Sequence, residues 1–294
     1  MLRLVFLTFS CCFNKMISTK SIDWGEKMLQ EERYQKILTV LSESGSLSIK
    51  KIQELFGISI ATARRDMIEL QERGLVNRTH GGVSLKSKKS DRDIPPLDIR
   101  KAHCAIEKEA IARKAATLIE PSDVLILDGG TTTLHLAKML PLIPISVITN
   151  SLVHAQTVFE HQEGNSNIEI VLTGGILFGA WSLTYGPPAL ACLSEYHANW
   201  LFLSGQGINE NGLFNPNALV VEVEKAMVKS ADKVVVLADH SKIGSKSMSR
   251  VCALGDIDYL ITTSNAEVES QLNVLEENGI EIIRVPSAII IGNK

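Results

Sequence analysis

Apolar residues recur at helical spacing in three short stretches near the start of the chain, then gather into brief unbroken runs beyond residue 120. The first stretch, Arg33 to Glu43, carries Ile37, Leu38 and Leu41 on one face. The second, Ser48 to Phe56, does so with Ile49, Ile52, Leu55 and Phe56. The third, Ile60 to Glu72, turns Ile60, Ala63, Met67 and Leu70 inward and leaves Thr62, Arg64, Arg65 and Glu69 outside. Gly57 supplies a sharp turn between the second and third, and Ser59 is placed to cap the third by accepting from a free amide. A hairpin follows over Leu75 to Leu85, with Arg78 and His80 just before a Gly81-Gly82 turn.

Three short helices and a glycine-tipped hairpin predict a winged helix-turn-helix. Paired arginines near the start of the third helix suit a major-groove reader, one guanidinium forking onto guanine acceptors while its neighbour holds a phosphate. Two solvated arginines on an ordinary helix would explain Arg64 and Arg65 alone. They would not explain the turn, the cap and the basic hairpin together. The expected DNA face comprises Ser48, Ser59, Ala61, Thr62, Arg64 and Arg65, with Arg78, His80 and Gly81 from the wing near phosphates or a minor groove.

The later runs read as strands: Val124–Leu127, Ile145–Thr149, Ile168–Leu172, Trp200–Leu203, Lys233–Ala238, Tyr259–Thr262 and Ile280–Val285. Helices are expected over about Cys104–Leu118, Thr132–Leu140, Leu152–Glu160, Leu219–Ser230 and Ala266–Asn278. Alternation of buried strands with amphipathic helices predicts an α/β unit with a mainly parallel sheet, in which ligands bind at the carboxyl ends of the strands. Polar and glycine residues collect at those ends. Asp128, Gly129, Gly130, Thr131 and Thr132 follow the first strand, Thr149, Asn150 and Ser151 the second, and Gly174 with Gly175 the third. Gly205 follows a fourth, and Asp239 with Lys242 a fifth. Glycines let backbone approach an anion, free amides point at it and hydroxyls add donors, so a phosphorylated, polyhydroxylated small molecule is the expected guest. The run Gly129-Gly130-Thr131-Thr132-Thr133 matches neither the P-loop nor the dinucleotide fingerprint. Any one of these loops could merely end a strand and cap a helix.

Charge divides the chain as the patterning does. Met28 to Ser90 carries 11 Lys/Arg against 7 Asp/Glu, whereas the residues after Ser90 carry 15 against 24. A basic module on an acidic one fits a nucleic-acid binder carrying a second task. The five cysteines, Cys11, Cys12, Cys104, Cys192 and Cys252, show no paired spacing, which argues against a disulfide framework or a structural zinc site and for a reducing, cytoplasmic setting. His135, His154 and His161 lack metal-ligand spacing and read as helix-surface residues. Glu222 and Glu224 read as solvated carboxylates or sugar-hydroxyl acceptors. No metal or cofactor is expected, nor a membrane span. The first 27 residues loosely imitate a signal peptide, but export would part a DNA reader from DNA. A translation start set too far upstream is the simpler account, leaving residues 1–27 disordered or dispensable. The expected domains are 28–85 for the winged module, 86–100 for a charged, proline-containing linker and 101–294 for the α/β unit.

Over residues 30–285 the chain resembles the DeoR family of bacterial transcriptional regulators. The segment ISIATARRDMIELQERGLVNRTHGGV, with Thr62, Arg64, Arg65 and Asp66 at its core, resembles that family's recognition helix and wing. DGGTTTLHLA, TNSL, LTGG and ADHSKIG resemble its later motifs. Two positions depart from the common pattern: the LVVEVEKAMV helix, where many relatives place an acidic residue nearer Val220, and His240, where a small residue is more usual. The resemblance implies a winged helix-turn-helix joined to a ribose-5-phosphate-isomerase-like sensor domain. It further implies a phosphorylated sugar or related metabolite as effector, action as a repressor of carbohydrate-metabolism genes at a double-stranded operator, and dimers or tetramers. The competing reading is a sugar-phosphate isomerase that carries a DNA-binding module. Isomerisation needs a carboxylate base beside the substrate carbon, and Glu210, in an expected solvent-facing turn, is a poor candidate.

Overall fold

The computed structural model describes residues 29–79, 81–85, 95–162, 167–179, 181–263 and 265–286. Its chain divides into two compact units between His103 and Cys104. In the first, α1 (Gln30–Ser44), α2 (Ile49–Phe56) and α3 (Ile60–Glu72) pack with a small antiparallel sheet of β1 (Ser46–Ser48), β2 (Val76–Thr79) and β3 (Gly82–Leu85), ordered β1-β3-β2. Ile37, Leu38, Leu41, Ile52, Ala63, Met67, Leu70 and Val83 close the core. Gly57 ends α2 in the left-handed region, and Ser59 caps α3 by accepting from the Thr62 amide at 3.1 Å. Strand β1 had no signal in the sequence, because three residues are too few to show a period. It presses so closely on the wing that a Cβ on Gly82 would stand 2.3 Å from the Leu47 carbonyl oxygen.

Two expectations for this unit need correction. Ile60 is not inward: it is 45% exposed, because it is the first residue of α3 and precedes the turn that meets the core. The inward position goes instead to Asp66, which is 1% exposed and takes both Arg33 Nε (2.6 Å) and Arg33 Nη2 (2.8 Å). The stretch expected as a linker also ends in structure: α4 (Leu97–Ala102) buries Ile99 and Ala102 in the core of the first unit. Residues 1–27, the start of the linker and His80 lie outside the described residues.

The second unit holds a seven-stranded parallel sheet ordered β15-β14-β12-β9-β4-β5-β6. Its first half is α5 (Ala105–Ala116), β4 (Val124–Leu127), α6 (Thr131–Ala137), β5 (Ile145–Thr149), α7 (Leu152–His161) and β6 (Ile168–Leu172). There follow a hairpin, β7 (Ile176–Phe178) with β8 (Leu183–Tyr185), and then α8 (Pro187–Ser194) and β9 (Ala198–Leu203). The last part is β10 (Gly207–Asn209), β11 (Gly212–Asn215), α9 (Ala218–Lys229), β12 (Ala231–Ala238), β13 (Ser249–Cys252), β14 (Tyr259–Thr263), α10 (Glu269–Glu277) and β15 (Glu281–Val285). Strands β10, β11 and β13 form a separate small antiparallel sheet.

Alternate residues of the large sheet enter two cores. Leu125, Leu127, Phe202, Val235 and Leu237 meet α5, α6 and α7 through Ile111, Leu134 and Val158. Ile126, Leu201, Leu203, Val234 and Val236 meet α8, α9 and α10 through Leu193, Val223 and Leu272. Such double burial explains why the strands read as unbroken apolar runs. The chain lays β4, β5 and β6 outward in one direction, then returns to place β9 on the other side of β4. Strand order reverses at the β4–β9 pair, where an open α/β sheet parts its loops and leaves a crevice.

Candidate functional site

The first unit presents a cationic face. Ser59, Ile60, Ala61, Arg64, Arg65 and Ile68 are exposed along α3, with Thr62 half-buried. Ser48 is exposed at the start of α2, and Arg78 and Gly81 are exposed in the wing. Arg64, Arg65 and Arg78 make no ion pair among the described residues, whereas Arg33 is tied to Asp66, and Arg73 to Glu31 (3.0 Å) and Glu69 (3.1 Å). Hydrogen bonding to Asp66 holds the Arg33 guanidinium above its usual range. This division is physical: one set of arginines fixes α1 against α3, and another is left with its donors directed to solvent.

In the second unit the strands are parallel, so all the strand-end loops share one rim. Their residues do different work. Thr149 is fully buried, donates to the Leu127 carbonyl at 2.7 Å and accepts from the Ser151 amide at 3.1 Å. The Asn150 carbonyl accepts from the Thr184 amide at 2.7 Å and from its hydroxyl at 3.1 Å, anchoring β8. Ser151 accepts from the His154 amide and sits 2.8 Å from His154 Nδ1. Those hydroxyls and amides are thus engaged in building the rim. Gly175, at φ 110°, lies where a Cβ would come within 2.5 Å of the Tyr185 carbonyl oxygen, and Gly174 stands in open space.

The β4 loop is the tightest part. A Cβ on Gly129 would fall 2.0 Å from Leu183 Cδ2, one on Gly130 2.2 Å from Ser204, and one on Gly205 2.4 Å from Leu213 Cδ1. At the ends of β4 and β9, glycine lets the backbone pass these side chains without displacing them. Thr131 is half-buried and Thr132 buried at the start of α6, while Thr133 donates to the Asp128 carbonyl at 2.6 Å. Asp239, 1% exposed, caps the turn at His240–Lys242 by accepting from the Ser241 amide, with Lys108 Nζ 4.0 Å away. Lys242 is half-buried and has no ion pair among the described residues.

His154 is not a surface residue: it is 2% exposed, with Nε2 3.1 Å from Thr133 Oγ1, and so joins α6 to α7. His161 bonds the Leu140 carbonyl, and His135 is half-buried. Glu222 is exposed on α9 and Glu210 on its turn, but Glu224 is 2% exposed and accepts from Asn215 Nδ2 at 2.6 Å. Burial, reinforced by the charge of Asp128, pushes the Glu224 carboxyl well above the usual carboxylate range. A buried acid pair formed by residues 96 positions apart leaves no spacing signal. The only clue was an acidic residue on the inward stripe between Val220 and Met227. Likewise, the ligand-type atoms of Cys104, Glu107 and His240 lie within 4.8 Å of one another, though neither Cys104 nor Glu107 was marked by spacing. Glu107 is already bonded to His240 Nδ1 (2.7 Å) and to the Thr263 hydroxyl, and it holds the imidazole proton above its ordinary range. Burial keeps the Cys104 thiol protonated.

Both units match family models: residues 33–89 a DeoR-like helix-turn-helix domain, and residues 103–264 a DeoR C-terminal sensor domain. The uncharacterized HTH-type transcriptional regulator YulB of Bacillus subtilis is 34% identical over 261 residues, 88% of this chain and 98% of its own length. The HTH-type transcriptional repressor GlcR of the same organism is 35% identical, over 87% of this chain and 96% of its own. The HTH-type transcriptional regulator UlaR of Shigella sonnei is 33% identical, over 88% and 100%. Ribose 5-phosphate isomerase A of Methanocaldococcus jannaschii aligns with 46% of this chain and 52% of its own at 20% identity, with a TM-score of 0.34, a likeness too slight to bear on function. Among the described residues no helix is long and apolar enough to cross a membrane. A winged unit with free outward arginines, an α/β unit with a glycine-lined rim, and relatives matched almost end to end place this chain in the DeoR family, as a DNA-binding transcriptional regulator.

Proposed function

We propose that the protein is a cytoplasmic repressor of carbohydrate-metabolism genes, released from its operator when a phosphorylated sugar or related metabolite binds the strand-end rim. The observation that carries the DNA half is the set of cations Arg64, Arg65 and Arg78, without an ion pair among the described residues, on one small winged unit, set apart from the arginines that hold it together. The N-terminal residues of a recognition helix meet base edges, so Ile60 and Ala61 offer apolar contact to a thymine methyl while Arg64 and Arg65 take guanine and phosphate. Arg78 and Gly81 then follow the backbone beside the groove.

The effector half is supported by the rim. Gly129, Gly130 and Gly205 permit backbone approach, Thr131 and Thr132 bring amides and hydroxyls, and Lys242 supplies a cation for phosphate. Asp128 and Asp239 provide carboxylates, and the Thr149–Ser151 and Gly174–Gly175 loops shape the walls. Binding, rather than turnover, fits this rim: Glu210 is exposed on a turn, and the names of the curated relatives are those of regulators. Two copies of the chain present two winged units to the half-sites of a pseudo-palindromic operator. The effector prefers one state of that dimer and shifts the population away from DNA binding.

A gel shift with the DNA upstream of the protein's own gene, repeated with a panel of sugar phosphates, tests this reading. A specific complex dissolved by one member of the panel is expected. Efficient isomerisation of a pentose or hexose phosphate by the purified protein would overturn it in favour of an enzyme.

A further inference from the structure

A buried carboxyl group ordinarily finds a partner for each oxygen, because an unsatisfied one costs about 1–3 kcal/mol. Glu224 has found a partner for one only. Its Oε1 accepts from Asn215 Nδ2, whereas its Oε2 has no accessible surface and no hydrogen-bond partner among the described residues. The surroundings are the β4–β9 switch point. Asn215 also donates to the Ser204 carbonyl at 3.4 Å and accepts from the Gln206 amide at 2.8 Å. Asp128 Oδ2 accepts from the Ser204 amide at 3.3 Å. Ser204 Oγ is a second buried atom without a partner among the described residues, 2.2 Å from where a Gly130 Cβ would lie. Two unmet polar atoms therefore adjoin a carboxylate at the place where open α/β sheets bind their ligands.

We propose that Asp128 and Glu224 read the hydroxyl groups of the effector at the end remote from its phosphate, and that they select sugars and sugar alcohols that are uncharged there over sugar acids. This rests on the reading of the rim as a phosphosugar site. Burial, with the charge of Asp128 close by, raises the Glu224 carboxyl well above the usual carboxylate range, so the pair resists carrying two negative charges. A hydroxyl can accept from the acid and donate to the carboxylate at once. A ligand carboxylate would bring a second negative charge into the same desolvated spot, and no lysine or arginine bonds Glu224 there among the described residues. The rim cation Lys242 stands at the end of β12, two strands from β4, or about 10 Å at the usual strand spacing. That span suits a phosphorylated chain of five or six carbons.

The test compares two ligands with one carbon skeleton, glucitol 6-phosphate and 6-phosphogluconate, together with ribitol 5-phosphate and 5-phosphoribonate, by calorimetric titration of the full chain. The wild type should bind the polyol phosphate of at least one pair tenfold or more tightly than its acid. Asp128→Asn, which removes the negative charge, should bring that ratio close to one while phosphate affinity persists, whereas Glu224→Gln, which mimics the neutral acid, should keep it. A wild-type preference for the acids, or an unchanged ratio in a folded Asp128→Asn protein, overturns the assignment and leaves the phosphosugar reading standing. The wild-type ratio decides the matter even where the variant does not fold. Failure of all four ligands to bind the wild type overturns the phosphosugar reading, and this assignment with it.

Discussion

The two units treat polar side chains in opposite ways. In the winged unit the groups proposed to meet DNA are long, exposed cations, and Asp66, the one deeply buried charge among its described residues, belongs to the scaffold. In the α/β unit Asp128, Asn150, Glu224 and Asp239 are all nearly or wholly buried, and the rim between them is lined with glycine. The proposed partners account for the contrast. DNA is large and highly charged, so exposed arginines can reach it without prior desolvation, and each phosphate contact releases counterions. A small metabolite offers few atoms, so its site must be dry, fixed and already shaped before it arrives.

The sharpest break of this contrast is Asp66→Ala. It strands a guanidinium that is only 11% exposed, and loss of one partner of a buried pair costs about 3 kcal/mol or more. Thermal melting should show the winged unit unfolding first while the α/β unit keeps its transition. Next come Arg64→Ala and Arg65→Ala, each expected to weaken operator binding by about 1–3 kcal/mol with an unchanged melting temperature. Arg78→Ala should lower affinity evenly across sequences and reduce the salt slope by about one unit.

Glu224 gives an effect read against pH. Its folded pKa is raised, so the stability it contributes is complete below the ordinary carboxylate range and is lost as pH rises through the folded value. The stability of the α/β unit, read by denaturant unfolding, should therefore fall as pH climbs from about 4 toward neutrality, using the reference glutamate pKa. Glu224→Gln should flatten that slope. Smallest is Ser59→Ala, which removes the cap of α3 and should cost about 1 kcal/mol.

Sequence made the winged unit legible because its signals are local. Helical periodicity, Gly57 and the Ser59 cap are all read within a few residues, and Arg64 with Arg65 fall on the exposed face of α3. Strands β4, β5 and β6 could be bounded to the residue because burial on both faces leaves short runs without polar breaks. The hairpin of β7 and β8, helix α8 and the small antiparallel sheet escaped notice, being short and mixed in polarity. So did α4, hidden behind a charged stretch with two prolines. Ile60 and His154 misled for a common reason: helical phase at a terminus, or on a helix covered by a neighbour, does not report burial. Glu224 and Asp128 lie far apart in the chain, and only the reversal of strand order joins them.

The central claim is that exposed arginines hold DNA under the control of the anion-binding rim. Fluorescence anisotropy of a labelled fragment from upstream of the gene, titrated with the sugar phosphate that most raises the melting temperature, tests it most directly. Wild-type protein should release the fragment, and Lys242→Ala should bind it with equal starting affinity yet hold it throughout the titration. Release by Lys242→Ala at the wild-type concentration, or undiminished binding by Arg64→Ala, would contradict the account.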